Sequence, residues 1–232
     1  MIPTLSIPTF NVKLPSGKNV KYRPFVTRER SVLLMALQDS SQENVKTALD
    51  NLISLCTDNK VKLDDLSVSD AEVLFINIRN KSVGETLDLI HKCEACENMN
   101  PIQIDMSKVE VIVPENSNII KLDDKYDMVM KYPSIGSSLT FPEYPTDEDV
   151  SMYLASAIDY IVTDSGQTIV TYMKDESKES IINFIGSMTQ DQVSKIESFL
   201  SNMPVVKVSH SYNCKCGAKN DIELRGLENF FD

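Results

Sequence analysis

Tryptophan is absent from this chain of 232 residues, histidine occurs only twice, and the seven glycines are scattered. Each scarcity removes a class of chemistry. Both histidines, His91 and His210, sit close to cysteines, so a Ser-His-Asp or Cys-His arrangement has no independent base to draw on. The glycines never gather into the turn that cradles phosphate groups. No apolar run approaches the roughly eighteen residues of a membrane-spanning helix. The opening Met1-Ile2-Pro3-Thr4-Leu5 lacks a basic stretch followed by an apolar one, so no secretory signal is expected and the chain is expected to be cytosolic where it is made. Positive charge is also short: 23 Lys and Arg face 34 Asp and Glu, giving a net charge of −11 and a pI near 4.7. A dominant nucleic-acid role needs a basic footprint to displace counterions, and this balance argues against one.

What is present is an ordinary core-forming composition, 42% hydrophobic and 25% charged, as expected of a chain that buries a substantial interior. Carboxylates are plentiful, but Asp64-Asp65, Asp123-Asp124 and Asp147-Glu148-Asp149 fall at element boundaries. They read as helix starts or solvated surface, not as acid–base pairs. No enzyme is expected and no catalytic residue is assigned.

The distinctive feature is two pairs of cysteines, Cys93-Glu94-Ala95-Cys96 and Cys214-Lys215-Cys216-Gly217. Each pair is bracketed by strand-like sequence: His91, Ile102 and Ile104 around the first, Val206, Val208, Tyr212, Ile222 and Leu224 around the second. Two strand–knuckle–strand pieces with two thiolates each can close one all-sulfur tetrahedron around Zn²⁺, leaving no open position for catalysis. Cys96 and Cys214 are 118 positions apart. Closing such a loop costs roughly 4–5 kcal/mol of chain entropy, against about 10–16 kcal/mol of apparent binding energy for a structural zinc. Disulfides and unconnected thiols are the alternatives, and His91 and His210 are the fallback ligands. A redox role for Cys93 and Cys96 is a weaker reading, because the motif does not open a helix after a strand. The fifth cysteine, Cys56, shares a helical face with Leu49, Leu52 and Ile53 and reads as a buried thiol.

Local patterns lay out the rest. Residues 10–14 and 19–23 alternate around Pro15-Ser16-Gly17-Lys18, a hairpin. Thr27 is placed to cap a helix through Leu33, Leu34 and Leu37. Ser40-x-x-Glu43 and Ser69-x-x-Glu72 read as capping boxes for two more. Strands are expected around Ile102–Ile104, Val109–Val113, Ile119–Leu122 and Tyr126–Tyr132. Pro133 to Pro145 is expected to be a loop, either a plain crossover or a segment that docks a partner. Thr146-x-x-Asp149 opens a helix with a stripe of Val150, Leu154, Ala157, Ile158 and Ile161. Thr189-x-x-Gln192 opens another with Val193, Ile196, Phe199, Leu200 and Met203, and a shorter helix holds Ile181, Ile182, Phe184 and Ile185 between them. Phe230 and Phe231 at the end of the chain are expected either to dock on the body or to anchor a partner. The expected fold class is α+β: an N-terminal hairpin and helices (1–85), central antiparallel strands in a zinc-ribbon-like region (86–145 with 204–232), and an inserted helical lobe (146–203).

The opening Ile7-Pro8-Thr9-Phe10, the hairpin ending Tyr22-Arg23-Pro24-Phe25-Val26-Thr27-Arg28-Glu29, and the leucine-rich helix after it resemble the start of the baseplate hub proteins of T4-like contractile-tailed phages. The CxxC and CxCG knuckles fit that resemblance, which extends over most of the chain. It implies a structural or assembly protein that binds other hub and tail components, made in the infected bacterial cytoplasm and located there or in the virion tail baseplate. It carries over no catalytic residues. The competing readings from the residues are a zinc-ribbon regulatory or nucleic-acid-binding module and, behind it, a thiol oxidoreductase.

Overall fold

The structure, a computed structural model, describes residues 6–38, 42–115, 117–139, 141–163, 165, 168–170 and 176–230. Contacts gather the chain into two units, one of Met1–Lys62, Ser69–Ile112 and Pro204–Asp232, the other of Leu63–Val68 and Val113–Met203.

The first unit begins with the expected hairpin, β1 (Phe10–Lys13) against β2 (Asn19–Tyr22), with Phe10 opposite Tyr22 and Val12 opposite Val20. Leu14, Val20 and Tyr22 are buried, as alternation of apolar and polar residues requires of a half-buried strand pair. Helix α1 (Thr27–Gln38) follows. Thr27 is already helical and is not the cap. Glu29 instead reaches back from the first turn: its carboxylate accepts the Val26 N–H at 2.8 Å and a fork from Arg23 at 2.9 and 3.0 Å. A carboxylate in the first helical turn can reach back to an otherwise unpaired N–H.

Helix α2 (Gln42–Cys56) buries Ala48, Leu49, Leu52, Ile53 and Cys56 on one face, the stripe its period predicts. Burial pushes the Cys56 thiol up to about 12. Ser40 of the expected capping box lies outside the described residues. Helix α3 (Val68–Val83) starts one residue before Ser69, so Ser69 and Glu72 are buried inside its first turns instead of framing them. It is buried almost all round, from Ser69 to Ile76 and again at Ile78 and Arg79, which removes the amphipathic signal that marks a surface helix. Arg79 donates to the carbonyls of Gly84 and Thr86 at 2.9 and 3.1 Å, satisfying acceptors beyond the helix end.

Strands β3 (Thr86–Lys92) and β4 (Met99–Asp105) then form a hairpin in register from Thr86–Asp105 to Lys92–Met99. Strand β5 (Glu110–Ile112) leaves this unit, and β10 (Val205–Asn213) re-enters it directly alongside, with Ile112 opposite Val205. Strand β11 (Lys219–Arg225) completes the sheet order β11-β10-β5. Phe230, in a final 3₁₀ turn at Leu227–Phe230, is fully buried and docks within the structure. Phe231 lies outside the described residues.

The second unit holds a four-stranded antiparallel sheet in the order β6-β7-β8-β9: β6 (Ile119–Lys121), β7 (Tyr126–Met130), β8 (Ile158–Thr163) and β9 (Thr168–Val170). This corrects two expectations. The helix opened by Thr146, α5 (Asp147–Ser156), stops before Ile158, and the rest of its supposed stripe is strand. Val150 is exposed, while Leu154, Ala157, Ile158 and Ile161 are buried. The misreading has a structural cause. Val129 pairs with Tyr160 but Met130 with Ile158, so Asp159 is an extra residue in β8. A bulge of this kind stretches the spacing of two inward residues from two to three and so imitates a helical period. The inserted lobe is therefore not all helix. Because β7 pairs with β8, the strands at 119–130 share its sheet, and the departure from the first unit falls after β5, not near 145.

The Pro133–Pro145 segment is likewise not a bare loop. It contains α4 (Ile135–Leu139), and the N–H of buried Ile135 bonds the Leu66 carbonyl at 2.8 Å. Both remaining capping boxes form as read, Thr146 with Asp149 and Thr189 with Gln192 at the head of α7 (Gln190–Ser201). Helix α6 (Lys178–Gly186) lies between them in sequence, as expected, with Ser177 as its cap. Met128, Met130, Leu154, Ile158, Ile181, Ile185, Ile196 and Phe199 share this unit's core, and Tyr132 stacks on Phe199 at 4.8 Å.

Glu29→Ala is expected to lower the unfolding free energy at neutral pH by about 2–4 kcal/mol, since it strands the Arg23 fork and an N–H together. Denaturant titration followed by circular dichroism measures it. The hydrogen bonds from Arg23 hold the Glu29 carboxyl below its ordinary value of 4.5. A depressed folded value means that the unfolded chain binds the proton first as pH falls. The stability advantage of wild type over Glu29→Gln is thus full above the ordinary value and shrinks as pH drops through the depressed one. A pH-independent difference would contradict this.

Candidate metal centre

Each cysteine pair occupies the tip of one hairpin in the first unit. In the β3–β4 tip, the Cys93 N–H bonds the Asn98 carbonyl and the Glu97 N–H bonds the Cys93 carbonyl, both at 2.9 Å. In the β10–β11 tip, the Cys214 N–H bonds the Ala218 carbonyl and the Gly217 N–H bonds the Cys214 carbonyl, again at 2.9 Å. The residue after each second cysteine has a positive φ, +59° at Glu97 and +90° at Gly217. That left-handed step turns the chain back toward the next strand. Glycine takes it freely, whereas a side chain makes it cost energy.

The two tips meet. All four Sγ atoms lie within 4.8 Å of one another. The close approaches run between hairpins, Cys93 to Cys216 at 3.8 Å and Cys96 to Cys214 at 3.6 Å. A tetrahedral ion with bonds of about 2.3 Å has sulfur–sulfur edges of about 3.8 Å. The cage thus has the dimensions of a four-thiolate site, and all four cysteines are unbridged. Cys93 and Cys214 are buried, Cys96 is half-buried and Cys216 is exposed. Donor chemistry points the same way. The Cys96 backbone N–H, helped by that of Ala95 and by the Asn220 amide, draws the Cys93 thiol down to about 6 against the effect of burial. The Cys216 backbone N–H lowers Cys214 in the same manner. At Cys96 the Asn98 backbone pulls downward, but the surrounding thiols and burial prevail and push it up to about 12. Four sulfurs packed this closely cannot all carry charge without a cation among them.

Neither fallback histidine joins the group. His91 Nδ1 lies 3.0 Å from the Tyr212 hydroxyl, with the two rings edge to face at 5.7 Å, bracing one hairpin against the other. His210 faces Ile222 across the β10–β11 ladder. The ladder geometry gives each histidine a place in a strand, and neither belongs to the metal-capable set formed by the four cysteines among the described residues.

The residue that sequence reasoning missed is Asn220, only 3% exposed. Its amide donates to Cys93 Sγ at 3.5 Å and to the Ala218 carbonyl at 3.2 Å, and its oxygen accepts the Glu94 N–H at 3.1 Å. One side chain thereby ties both knuckles together. Asn100 also reaches the cage, where its oxygen accepts from the Cys214 thiol at 3.5 Å. The available signal was weak: asparagine is depleted in strands, so its presence in one calls for a partner.

Gly217→Ala is expected to destabilise the protein by about 1–2 kcal/mol. A Cβ there meets no atom within 4 Å, so the cost is conformational alone. Glu97→Gly relieves the matching strain at the price of an exposed ion pair with Lys92 and is expected to be neutral or stabilising by up to about 1 kcal/mol. The thermal unfolding midpoint should fall for Gly217→Ala and hold or rise for Glu97→Gly. Asn220→Ala leaves buried groups without partners and is expected to cost about 1–3 kcal/mol, read by the same melts.

A family model described as T4 bacteriophage base plate protein matches residues 7–232. No curated protein and no solved structure matches the chain. The match includes the Arg23–Glu29 lock, both knuckles and the insertion between them, so this chain belongs to the T4 bacteriophage base plate protein family.

Proposed function

We propose that this protein is a structural or assembly component of a contractile phage tail, that it binds baseplate hub components during or after hub assembly, and that Cys93, Cys96, Cys214 and Cys216 hold one structural zinc. The observation that carries the reading is the convergence of four sulfurs, two from each of two hairpins, in a chain of the base plate family. A metal with four sulfur ligands has no open coordination position, so its task is to stiffen and not to react. The protein acts by binding alone. Buried apolar contacts supply the affinity, and charge sets specificity and encounter rate. It is made in the host cytoplasm and meets its partners there, or remains in the tail.

Two features support this over the alternatives. Cys93 and Cys96 lie in a turn between two strands, not at the head of a helix where a thiol oxidoreductase activates its nucleophile. The acidic balance of the chain opposes a regulator that works by gripping nucleic acid. No helix among the described residues is long and apolar enough to cross a membrane.

Wild-type protein is expected to retain about one zinc per chain through purification, and Cys93→Ser or Cys216→Ser to lose it. Elemental analysis measures this, with limited proteolysis reporting loosened hairpin tips. Unchanged zinc content and unchanged digestion in both variants would defeat the metal assignment. Co-sedimentation of tagged protein with baseplate intermediates from infected cells tests the partner. Absence from every tail-related fraction would defeat the tail assignment.

A further inference from the structure

The charge of this chain is divided unevenly. Residues 63–68 and 113–203 carry 17 Asp and Glu against 6 Lys and Arg, a net of −11, while the remainder is balanced at 17 of each. Within that balanced remainder the first 38 residues hold six cations and a single acid, Glu29. Glu29 is engaged by Arg23. Lys13, Lys18, Lys21, Arg28 and Arg30 are all exposed, and none forms an ion pair with a described carboxylate. Several cations elsewhere do pair with acids, Lys81 with Glu85, Lys92 with Glu97, Lys121 with Asp124 and Lys195 with Asp191. Strand register sharpens the contrast. Lys13 stands opposite Asn19 and Lys21 opposite Asn11, so the outer face of the β1–β2 hairpin is wholly polar and cationic while Val12 and Val20 face inward.

The insertion presents the complementary surface. Between Phe141 and α5, Tyr144 is 86% exposed, flanked by Pro142 and Pro145. Four acids lie within five residues of it in sequence. Glu148 pairs with Lys178, and Asp149 is engaged by the Thr146 cap. Glu143 and Asp147 are exposed, with no ion pair to a described cation. An open aromatic ring between unpaired carboxylates is suited to lysine and arginine side chains, which can lie on the ring and bond the acids. The two prolines restrict the backbone and so reduce the ordering cost of docking.

We propose that the basic face of the β1–β2 hairpin docks on the acidic Tyr144 segment of a second copy of this chain, head to tail. The contact is heterologous, because each copy offers one face of each sign, and it closes into a ring or extends according to the rotation it imposes. Nucleic acid is the weaker occupant of the basic face, since the net charge of the whole chain repels a polyanion.

Sedimentation velocity of the purified full-length protein tests the contact. At roughly 50 mM NaCl the mass is expected to rise with concentration above the 26.1 kDa monomer, and association to weaken at least about tenfold at roughly 500 mM. A Lys18→Glu/Lys21→Glu variant and a Glu143→Lys/Asp147→Lys variant are each expected to remain monomeric alone, with unchanged melting. Mixed in equal amounts, they are expected to associate again, because either one supplies the face the other has lost. A wild type that stays monomeric at low salt, self-association that survives both reversals, or a mixture that fails to associate would each overturn the proposal. So would a labelled oligonucleotide or anionic vesicles binding through Lys18 and Lys21 while the chain remains a monomer.

Discussion

The organisation of the first unit depends on the meeting of two hairpin tips whose cysteines are 118 residues apart. Neither hairpin is complete alone, since each supplies only half of a tetrahedral donor set. The tips are not left to find each other unaided. Strand β5 leaves the unit and β10 returns beside it, pairing Glu110 with Lys207 and Ile112 with Val205, so the ladder itself brings together positions that flank most of the long loop. His91 with Tyr212 and Asn220 with Glu94 also join the two hairpins. These contacts hold the four sulfurs in a preformed arrangement, which is the condition for a rigid metal site.

The segment that carries the family resemblance has a structural explanation of its own. Arg23 binds Glu29 through two bonds and also donates to the Pro24 carbonyl, while its backbone N–H reaches the Cys56 carbonyl at the end of α2. The run from Tyr22 to Glu29 is therefore a lock that fixes the hairpin, the entry to α1 and the end of α2 together. It leaves the neighbouring cations, Arg28 and Arg30, facing solvent. Engaged and exposed charge are thus interleaved along the same stretch, one residue held inward and the next left at the surface.

The partition of charge has a corresponding logic. The part of the chain that holds the cysteine cage is neutral overall, and the acid is concentrated in the insertion. Repulsion between exposed carboxylates is tolerable where they are spread over surface and screened by salt. It would be far less so around a cluster of thiolates.

Elements whose signals are local were legible in the sequence: the β1–β2 alternation, the Thr146 and Thr189 capping boxes, the stripe of α2, and the cysteine pairs themselves. Caps and turns involve residues three or four apart, so their chemistry is written in adjacent letters. Two features were not legible, each because a distant partner decides it. The bulge at Asp159 exists only against β7, and it converted a strand into an apparent helical stripe. Asn220 has a role only once the other knuckle arrives. The amino-acid order by itself determined which thiols are available and how each pair is spaced. The tertiary structure decided that the four share one cage and that the histidines do not, because a ligand set drawn from two hairpins is defined by their register and approach, which no local spacing encodes.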